Sequence, residues 1–148
     1  MLSLCTGLPS PVAKDGIGNG EGGKKGSFQC SEKDFVRNMK SAGAWDDSRI
    51  IVTKGWFNET AAVSAVKQIS FLRLDGDLYV STWDAIVGFY DRVVPGGLIY
   101  VDDYGAFNGC REAINDFRTQ RRIYETMHTV SEGNIGYEAV WWRKSTSH

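Results

Sequence analysis

ISFLRLDGD (residues 69–77) and LIYVDD (residues 98–103) decide the fold class of this chain, because each reads as a β-strand that ends in acids. Five apolar residues between them recur at helical spacing: Trp83, Ile86, Val87, Tyr90 and Val94. A strand, a helix and a second strand in this order form a right-handed crossover, so the two strands are expected to be parallel and adjacent. The sequence therefore predicts an α/β fold.

The acids at the two strand tips are expected to face one crevice, because open parallel α/β sheets bind ligands beyond the carboxyl ends of their strands. Asp75, Asp102 and Asp103 would repel one another there unless a cation held them or some pointed away. Oxygen ligands select Mg²⁺, Mn²⁺ or Ca²⁺, and neither cluster contains His or Cys. Two acidic clusters on consecutive strands favour a metal or ligand site over acids that only cap helices or face water.

Composition limits the classes of function. With 148 residues and 42% hydrophobic content, the chain can bury one core, and a formal net charge of −1 without a basic stripe argues against a nucleic-acid partner. Three widely spaced cysteines without a C-x-x-C pair favour a reducing compartment over a disulfide framework or a zinc site. No apolar run approaches the length of a membrane span. We therefore expect a cytoplasmic protein without a membrane partner.

The chain divides into a polar, glycine-rich segment at residues 1–30, expected to be flexible, and a folded domain at residues 31–148. Periodicity predicts helices over 32–42, 58–66 and 110–122, with Ala113, Ile114 and Phe117 inward and Arg118, Arg121 and Arg122 on a solvated face. It also predicts strands over 49–54, 126–130 and 137–143. The last two strands are expected to form an antiparallel hairpin on the edge of a mostly parallel sheet.

Asp75-Gly76-Asp77 also reads as a D-x-D element, which in nucleotide-sugar glycosyltransferases holds Mn²⁺ against a diphosphate. That scheme does not require a second acid pair at the tip of the next strand, and the sequence offers no further diphosphate-binding signal. A glycosyltransferase therefore remains an alternative enzyme class at this point.

Taken together, several motifs resemble the macrocin O-methyltransferase (TylF-type) family, in order and spacing. They are LRLDGDLY at 72–79, Ser81-Thr82, Pro95-Gly96-Gly97, VDDY at 101–104, CREA at 110–113 and Asp116-Phe117-Arg118. The similarity extends over roughly 28–144, with Gly55-Trp56-Phe57 and the terminal strand also matching. The resemblance implies the C-terminal portion of a Rossmann-like methyltransferase fold.

Members of that family use S-adenosylmethionine and Mg²⁺ to methylate hydroxyl groups of sugars in natural products. The resemblance implies that Asp75, Asp102 and Asp103 are the Mg²⁺ ligands, and Asp75 is the acid expected to accept the proton of the acceptor hydroxyl. It places Gly55 and Trp56 where contacts to the adenosine end of the cofactor are expected. The expected partner is a small hydroxylated acceptor.

The chain departs from the family pattern before residue 28. The glycine-rich loop after the family's first strand is not found, and SLCT at 3–6 stands where the family has an acidic run that holds the ribose. The sheet is therefore expected to lack its first one or two strands, to leave the strand at 50–52 without a neighbour beside 69–75, and to self-associate. Weak or absent cofactor binding follows, with a truncated, non-catalytic metal-binding module as the alternative function.

Overall fold

The computed structural model describes residues 2–4, 7–16, 24–131 and 137–145 of the chain. The strands are β1 (Leu2–Leu4), β2 (Val52–Lys54), β3 (Ile69–Leu74), β4 (Val93–Val101), β5 (His128–Ser131) and β6 (Tyr137–Arg143). The helices are α1 (Glu32–Ser41), α2 (Phe57–Val63), α3 (Tyr79–Phe89) and α4 (Asn108–Gln120), with single 3₁₀ turns at Ala13–Asp15 and Tyr90–Arg92. The predicted α/β class is confirmed.

Four strands form the main sheet in the order β3-β4-β6-β5. β3 and β4 are parallel, with Leu72 opposite Ile99 and Leu74 opposite Val101, so the predicted crossover is confirmed. β6 runs antiparallel to both β4 and β5, which confirms the predicted hairpin at the edge of the sheet. The two acid-tipped strands therefore end side by side.

A second, two-stranded sheet pairs β1 with β2 in parallel. In the described part of the chain, β3 pairs with β4 alone, and β2 does not continue the main sheet, as the sequence predicts. Part of the segment expected to be flexible therefore has defined neighbours. Besides β1, Leu8 is buried and its N–H donates to the Ser27 carbonyl at 3.0 Å. Most of the glycine-rich run lies outside the described residues.

The core lies between the main sheet and helices α3 and α4, which pack on each other. Its sheet residues include Leu72, Ile99, Val101 and Trp142, and Ala113, Ile114 and Phe117 of α4 are buried as predicted. No helix in the described ranges is long and apolar enough to cross a membrane. The parallel pairing of β3 with β4 fixes the position of the acidic tips.

Helix α3 differs from its prediction in which face it buries and where it ends. Val87 is 50% exposed, and Val94 belongs to β4, whereas Thr82, Ala85 and Phe89 are buried together with Ile86. The buried stripe follows the side of the helix that faces α2, α4 and the sheet. Periodicity alone does not reveal that side when apolar residues surround the helix.

Pro95-Gly96-Gly97, residue types that commonly interrupt a helix or a strand, lies within β4. Ile69 faces Val93 but Phe71 faces Leu98, so residues 94–97 bulge out of the ladder. Gly96 has φ +78°, a left-handed conformation that favours glycine, and its N–H donates to the Lys144 carbonyl at 2.8 Å. The glycines therefore shape a bulge rather than a break.

The arginines at the end of α4 were predicted to form a solvated face, and Arg118 does not. Its guanidinium lies 4.8 Å from the centre of the Trp142 ring and donates to the Glu125 carbonyl, and the side chain is half-buried. Arg121 remains at the surface, where it pairs with Asp91. The planar guanidinium of Arg118 thus packs over Trp142 and covers that part of the core.

Candidate active site

The tips of β3 and β4 are joined directly by a backbone hydrogen bond, in which Asp102 N–H donates to the Leu74 carbonyl at 2.9 Å. Each strand ends at its last apolar core residue, and the acids follow immediately. Asp75 comes directly after Leu74, and Asp102 and Asp103 come directly after Val101. The parallel pairing therefore places four carboxylates at one edge, those of Asp75, Asp77, Asp102 and Asp103.

Three of these carboxylates converge. Asp75, Asp77 and Asp103 each contribute an oxygen, and these oxygens lie within 4.8 Å of one another. Asp77 reaches this position from a backbone with φ +54°, a left-handed conformation that few residues other than glycine adopt. This conformation turns the chain sharply between the end of β3 and the start of α3, and it marks Asp77 as a candidate functional residue.

Asp103 lies deepest in the cluster, with 8% of its surface exposed. Burial raises the pKa of its carboxyl to about 8, and the neighbouring carboxylate of Asp77 adds to the effect. Burial also raises the pKa of Asp77, although less, because Asp77 accepts a hydrogen bond from Asp103. Without a cation, the pair therefore holds a proton on Asp103 near neutral pH.

The Oδ2 atom of Asp103 has no hydrogen-bond partner within the described residues, although it is fully shielded from solvent. A buried carboxylate oxygen without a partner is costly unless a ligand satisfies it. Together with the convergence of three carboxylates, this atom indicates a place for a positive ligand. An oxygen-only donor set suits a hard divalent cation such as Mg²⁺, so the residues present fit the metal that the sequence predicts.

Asp102 stands beside this trio and is engaged by an arginine. Its Oδ2 lies 2.5 Å from Arg73 Nη2, and the other terminal nitrogen of the same guanidinium contacts Asp75. Arg73 projects from β3 on the side opposite the buried Leu72 and Leu74. It therefore supplies positive charge that reduces the repulsion among the acids.

Gly55 and Trp56, the residues predicted to contact the cofactor, lie at a different strand end. Gly55 follows β2 with φ +139°, and a Cβ atom there would come within 3.0 Å of the Thr60 side chain. The Trp56 carbonyl accepts hydrogen bonds from the N–H and Oγ1 of Thr60, at 2.9 Å and 3.0 Å, and so starts α2. The strand-to-helix turn at Gly55 and Trp56 is therefore tight.

The structure brings together two of the three predicted metal ligands, Asp75 and Asp103, and adds Asp77, which the sequence analysis left within the D-x-D reading. The signal was present in the spacing Asp75-Gly76-Asp77. The sequence did not reveal the left-handed turn at Asp77, because no periodic pattern predicts such a turn.

Comparisons with known proteins identify the family and the fold. The macrocin O-methyltransferase (TylF) family model matches residues 4–144. Demethyldecarbamoylnovobiocin O-methyltransferase of Streptomyces niveus is 30% identical over 115 residues, which cover 78% of this chain and 42% of that protein. A tetracenomycin-C rhamnosyl 4'-O-methyltransferase of Streptomyces olivaceus is 36% identical over 110 residues, covering 74% of this chain and 40% of that protein. The chain spans about two fifths of the length of these relatives.

Among solved structures, the O-methyltransferase NovP superposes with a TM-score of 0.76 at 26% identity, covering 95% of this chain and 57% of that chain. The calicheamicin methyltransferase CalS11 superposes with a TM-score of 0.70 at 16% identity, covering 93% of this chain and 56% of that chain. The second likeness concerns the fold alone. Together they identify the architecture as a Rossmann-like methyltransferase fold.

Proposed function

The chain belongs to the macrocin O-methyltransferase (TylF) family, and on this premise we propose that it carries the metal-binding part of an O-methyltransferase. The reaction transfers a methyl group from S-adenosylmethionine to a hydroxyl of a sugar or related natural product, with Mg²⁺ as the metal. The relatives to which the chain is similar are O-methyltransferases, which supports this class of reaction. Family membership favours it over the glycosyltransferase reading of Asp75-Gly76-Asp77.

The observation that carries the proposal is the carboxylate cluster with the shielded, unpartnered Oδ2 of Asp103. We propose Asp75, Asp102 and Asp103 as the Mg²⁺ ligands. Asp75 and Asp103 belong to the converging trio, whereas Asp102 stands beside it. Asp77, the third member of the trio, shares the proton of Asp103 when no metal is bound. For Asp102 to take part, its contact with Arg73 must be shared with the metal or given up.

When bound, Mg²⁺ would supply Lewis acidity that lowers the pKa of the acceptor hydroxyl. The protein must then orient the acceptor oxygen toward the methyl group and receive the hydroxyl proton. Asp75 is the proposed proton acceptor, since it is the exposed member of the converging carboxylates and can meet a ligand from solvent. Asp77 is the second candidate, because a raised pKa brings a carboxylate closer to the range in which general bases act at neutral pH.

The cofactor is proposed to contact Gly55 and Trp56 at the end of β2. A side chain at residue 55 would meet Thr60, and the φ of +139° favours glycine, so Gly55 allows the tight turn at which this contact is proposed. The alternative function, a non-catalytic metal-binding module, shares the metal site and differs in cofactor binding. Binding of S-adenosylhomocysteine therefore separates the two.

The proposal is tested by calorimetric titration of the chain with Mg²⁺ and, separately, with S-adenosylhomocysteine. We expect D103N to weaken Mg²⁺ binding by about tenfold or more, because replacing even a residue that only supports a metal ligand commonly costs that much. D102N is expected to weaken it as well. D91N, which changes an exposed acid at the end of α3, is the matched control and should leave the affinity unchanged.

Each outcome is decisive. Equal Mg²⁺ affinity in the wild type, D102N and D103N would contradict the proposed ligand set. Mg²⁺ binding without any binding of S-adenosylhomocysteine would favour the non-catalytic module. Binding of both would support the methyltransferase.

A further inference from the structure

A buried carboxylate lies between the two helices that follow the acidic tips, on a segment that the proposed reaction does not use. Asp15 ends the 3₁₀ turn Ala13–Asp15 and is 1% exposed. Its Oδ2 accepts a hydrogen bond from the N–H of Val12 at 2.6 Å, within its own turn. The other oxygen reaches across the chain to the rest of the fold.

Oδ1 of Asp15 accepts a hydrogen bond from the N–H of Tyr79 at 2.7 Å. Tyr79 is the first residue of α3, and its N–H has no carbonyl partner within the helix. A carboxylate is well placed there, because the N-terminus of a helix carries partial positive charge. Since α3 begins two residues after Asp77, this bond fixes the chain just beyond one acid of the cluster.

The same oxygen lies against the start of α4. A Cβ atom added to Gly109 would lie 1.8 Å from Asp15 Oδ1 and 2.7 Å from Tyr79 N. Gly109 is the second residue of α4, and α4 follows the loop of residues 102–107, which contains Asp103. The absence of a side chain at residue 109 is therefore what lets one carboxylate touch the first turns of both helices.

Additional bonds hold the 3₁₀ turn in place. Asn108 Nδ2 donates to the Lys14 carbonyl at 3.1 Å, which ties the turn to the start of α4. The Lys14 ammonium donates to Tyr79 Oη at 3.0 Å and pairs with Asp116, and Tyr79 Oη donates to Asp116 Oδ2 at 2.9 Å. These outer contacts are exposed to solvent and contribute little individually. Asp15 is the buried centre of the arrangement.

We propose that Asp15 is a positioning residue that holds the first turns of α3 and α4 at the spacing that lets Asp77 and Asp103 meet. This inference rests on the proposed function for its relevance to metal binding. Both helices begin within a few residues of an acid of the cluster, so a change in their separation moves those acids apart. Asp15 touches neither the metal nor the substrate and acts through the backbone.

The test uses Mn²⁺ alone as the probe, titrated into the wild-type chain, D15N and D116N. D15N keeps the size of the side chain and removes the charge. We expect it to lower the Mn²⁺ affinity by about tenfold, the loss typical when a residue that supports metal ligands is replaced. D116N is the matched control, because Asp116 contacts Lys14 of the 3₁₀ turn and Tyr79 of α3 from the exposed side. This variant should bind Mn²⁺ as the wild type does. Urea unfolding of both variants shows whether they are equally folded.

A second pair of variants approaches the contact from its other side. G109A should also weaken Mn²⁺ binding, because its Cβ would displace the Asp15 carboxylate. In a D15A background the same substitution meets no carboxylate, so the additional loss caused by G109A should be smaller than in the wild type. Equal losses in both backgrounds would contradict a shared contact.

Hydrogen exchange at the Tyr79 amide separates failure of this inference from failure of the proposed function. Weaker Mn²⁺ binding in D15N, together with faster exchange at Tyr79, supports the inference. Unchanged Mn²⁺ affinity in D15N overturns it and leaves the metal site standing. If the wild type binds no Mn²⁺, the proposed metal site fails, and hydrogen exchange at the Tyr79 amide alone tests whether Asp15 holds the two helices. Faster exchange in D15N then supports this role of Asp15, and an unchanged rate overturns it.

Discussion

At the scale of single residues, the proposed metal site is also a site that holds a proton. Asp103 is a buried acid with a pKa raised to about 8, next to a second acid whose pKa is also raised. A cation that binds there must displace the proton, so metal affinity should increase as the pH rises toward 8. The raised pKa of Asp103 also makes the stability of the metal-free protein depend on pH.

In the metal-free protein, kept in EDTA, stability should fall as the pH rises from about 4 to about 8. In the unfolded chain Asp103 ionises near pH 3.9, whereas in the folded chain it keeps its proton up to about 8. The contribution of Asp103 to the free energy of unfolding is therefore complete below pH 4. At higher pH it is lost at up to ~1.4 kcal/mol per pH unit for one proton. Urea unfolding measured at intervals of one pH unit tests the slope.

The variants make this test specific. D103N mimics the protonated acid and should flatten the dependence between pH 5 and pH 8. D116N is the control, because the hydrogen bond from Lys14 lowers the pKa of Asp116 and confines its effect to more acidic solution. A wild-type protein whose stability rises over this range would contradict the raised pKa of Asp103.

At the scale of elements, a small residue sets the distance between α2 and α3. A Cβ atom added to Gly88 would lie 2.5 Å from the Cβ of Ala61, well inside the normal separation of two carbons. Ala61 is itself buried, so the two helix backbones approach closely at this point. This contact connects the helix after Gly55 and Trp56 with the helix after Asp77.

We expect G88A to destabilise the protein by about 1 kcal/mol. The substitution gains about 1 kcal/mol of helix propensity but forces the helices apart, at an overpacking cost of about 1–3 kcal/mol. The double variant A61G/G88A exchanges the two side chains across the interface and should recover part of the loss. Urea unfolding of G88A, A61G and the double variant measures this recovery. Additive effects of the two substitutions would contradict the close contact.

The elements that the sequence predicts well are those whose signal is local. The strands at 69–74 and 137–143, the first helix and the inward face of α4 follow from periodicity, and the acids stand directly at the strand ends. The left-handed turn at Asp77, the bulge at 94–97 and the inward turn of Arg118 depend on contacts between distant parts of the chain. Such contacts override local propensity and leave no periodic trace, so sequence reasoning alone did not find them.

At the scale of the whole molecule, stability is distributed unevenly. The main sheet with α3 and α4 contains nearly all of the core, whereas α1 has no buried residue. Helix α1 is amphipathic and well capped, with Ser31 Oγ accepting a hydrogen bond from Asp34 N at 3.0 Å. A helix of ten residues without a fully buried side chain depends strongly on such local bonds, and it is expected to open without the rest of the fold.

Hydrogen exchange followed by NMR should therefore show amides of α1 exchanging far faster than those of β4. Removing the cap with S31A costs about 1 kcal/mol locally. It should speed exchange within α1 while the global free energy of unfolding in urea stays within about 0.5 kcal/mol of the wild type. A113G is the matched comparison, because Ala113 is buried in α4 and a loss of at least ~1 kcal/mol should appear in the global value. A global loss in S31A as large as in A113G would mean that α1 unfolds together with the core, and the acidic site would then depend on the whole described chain.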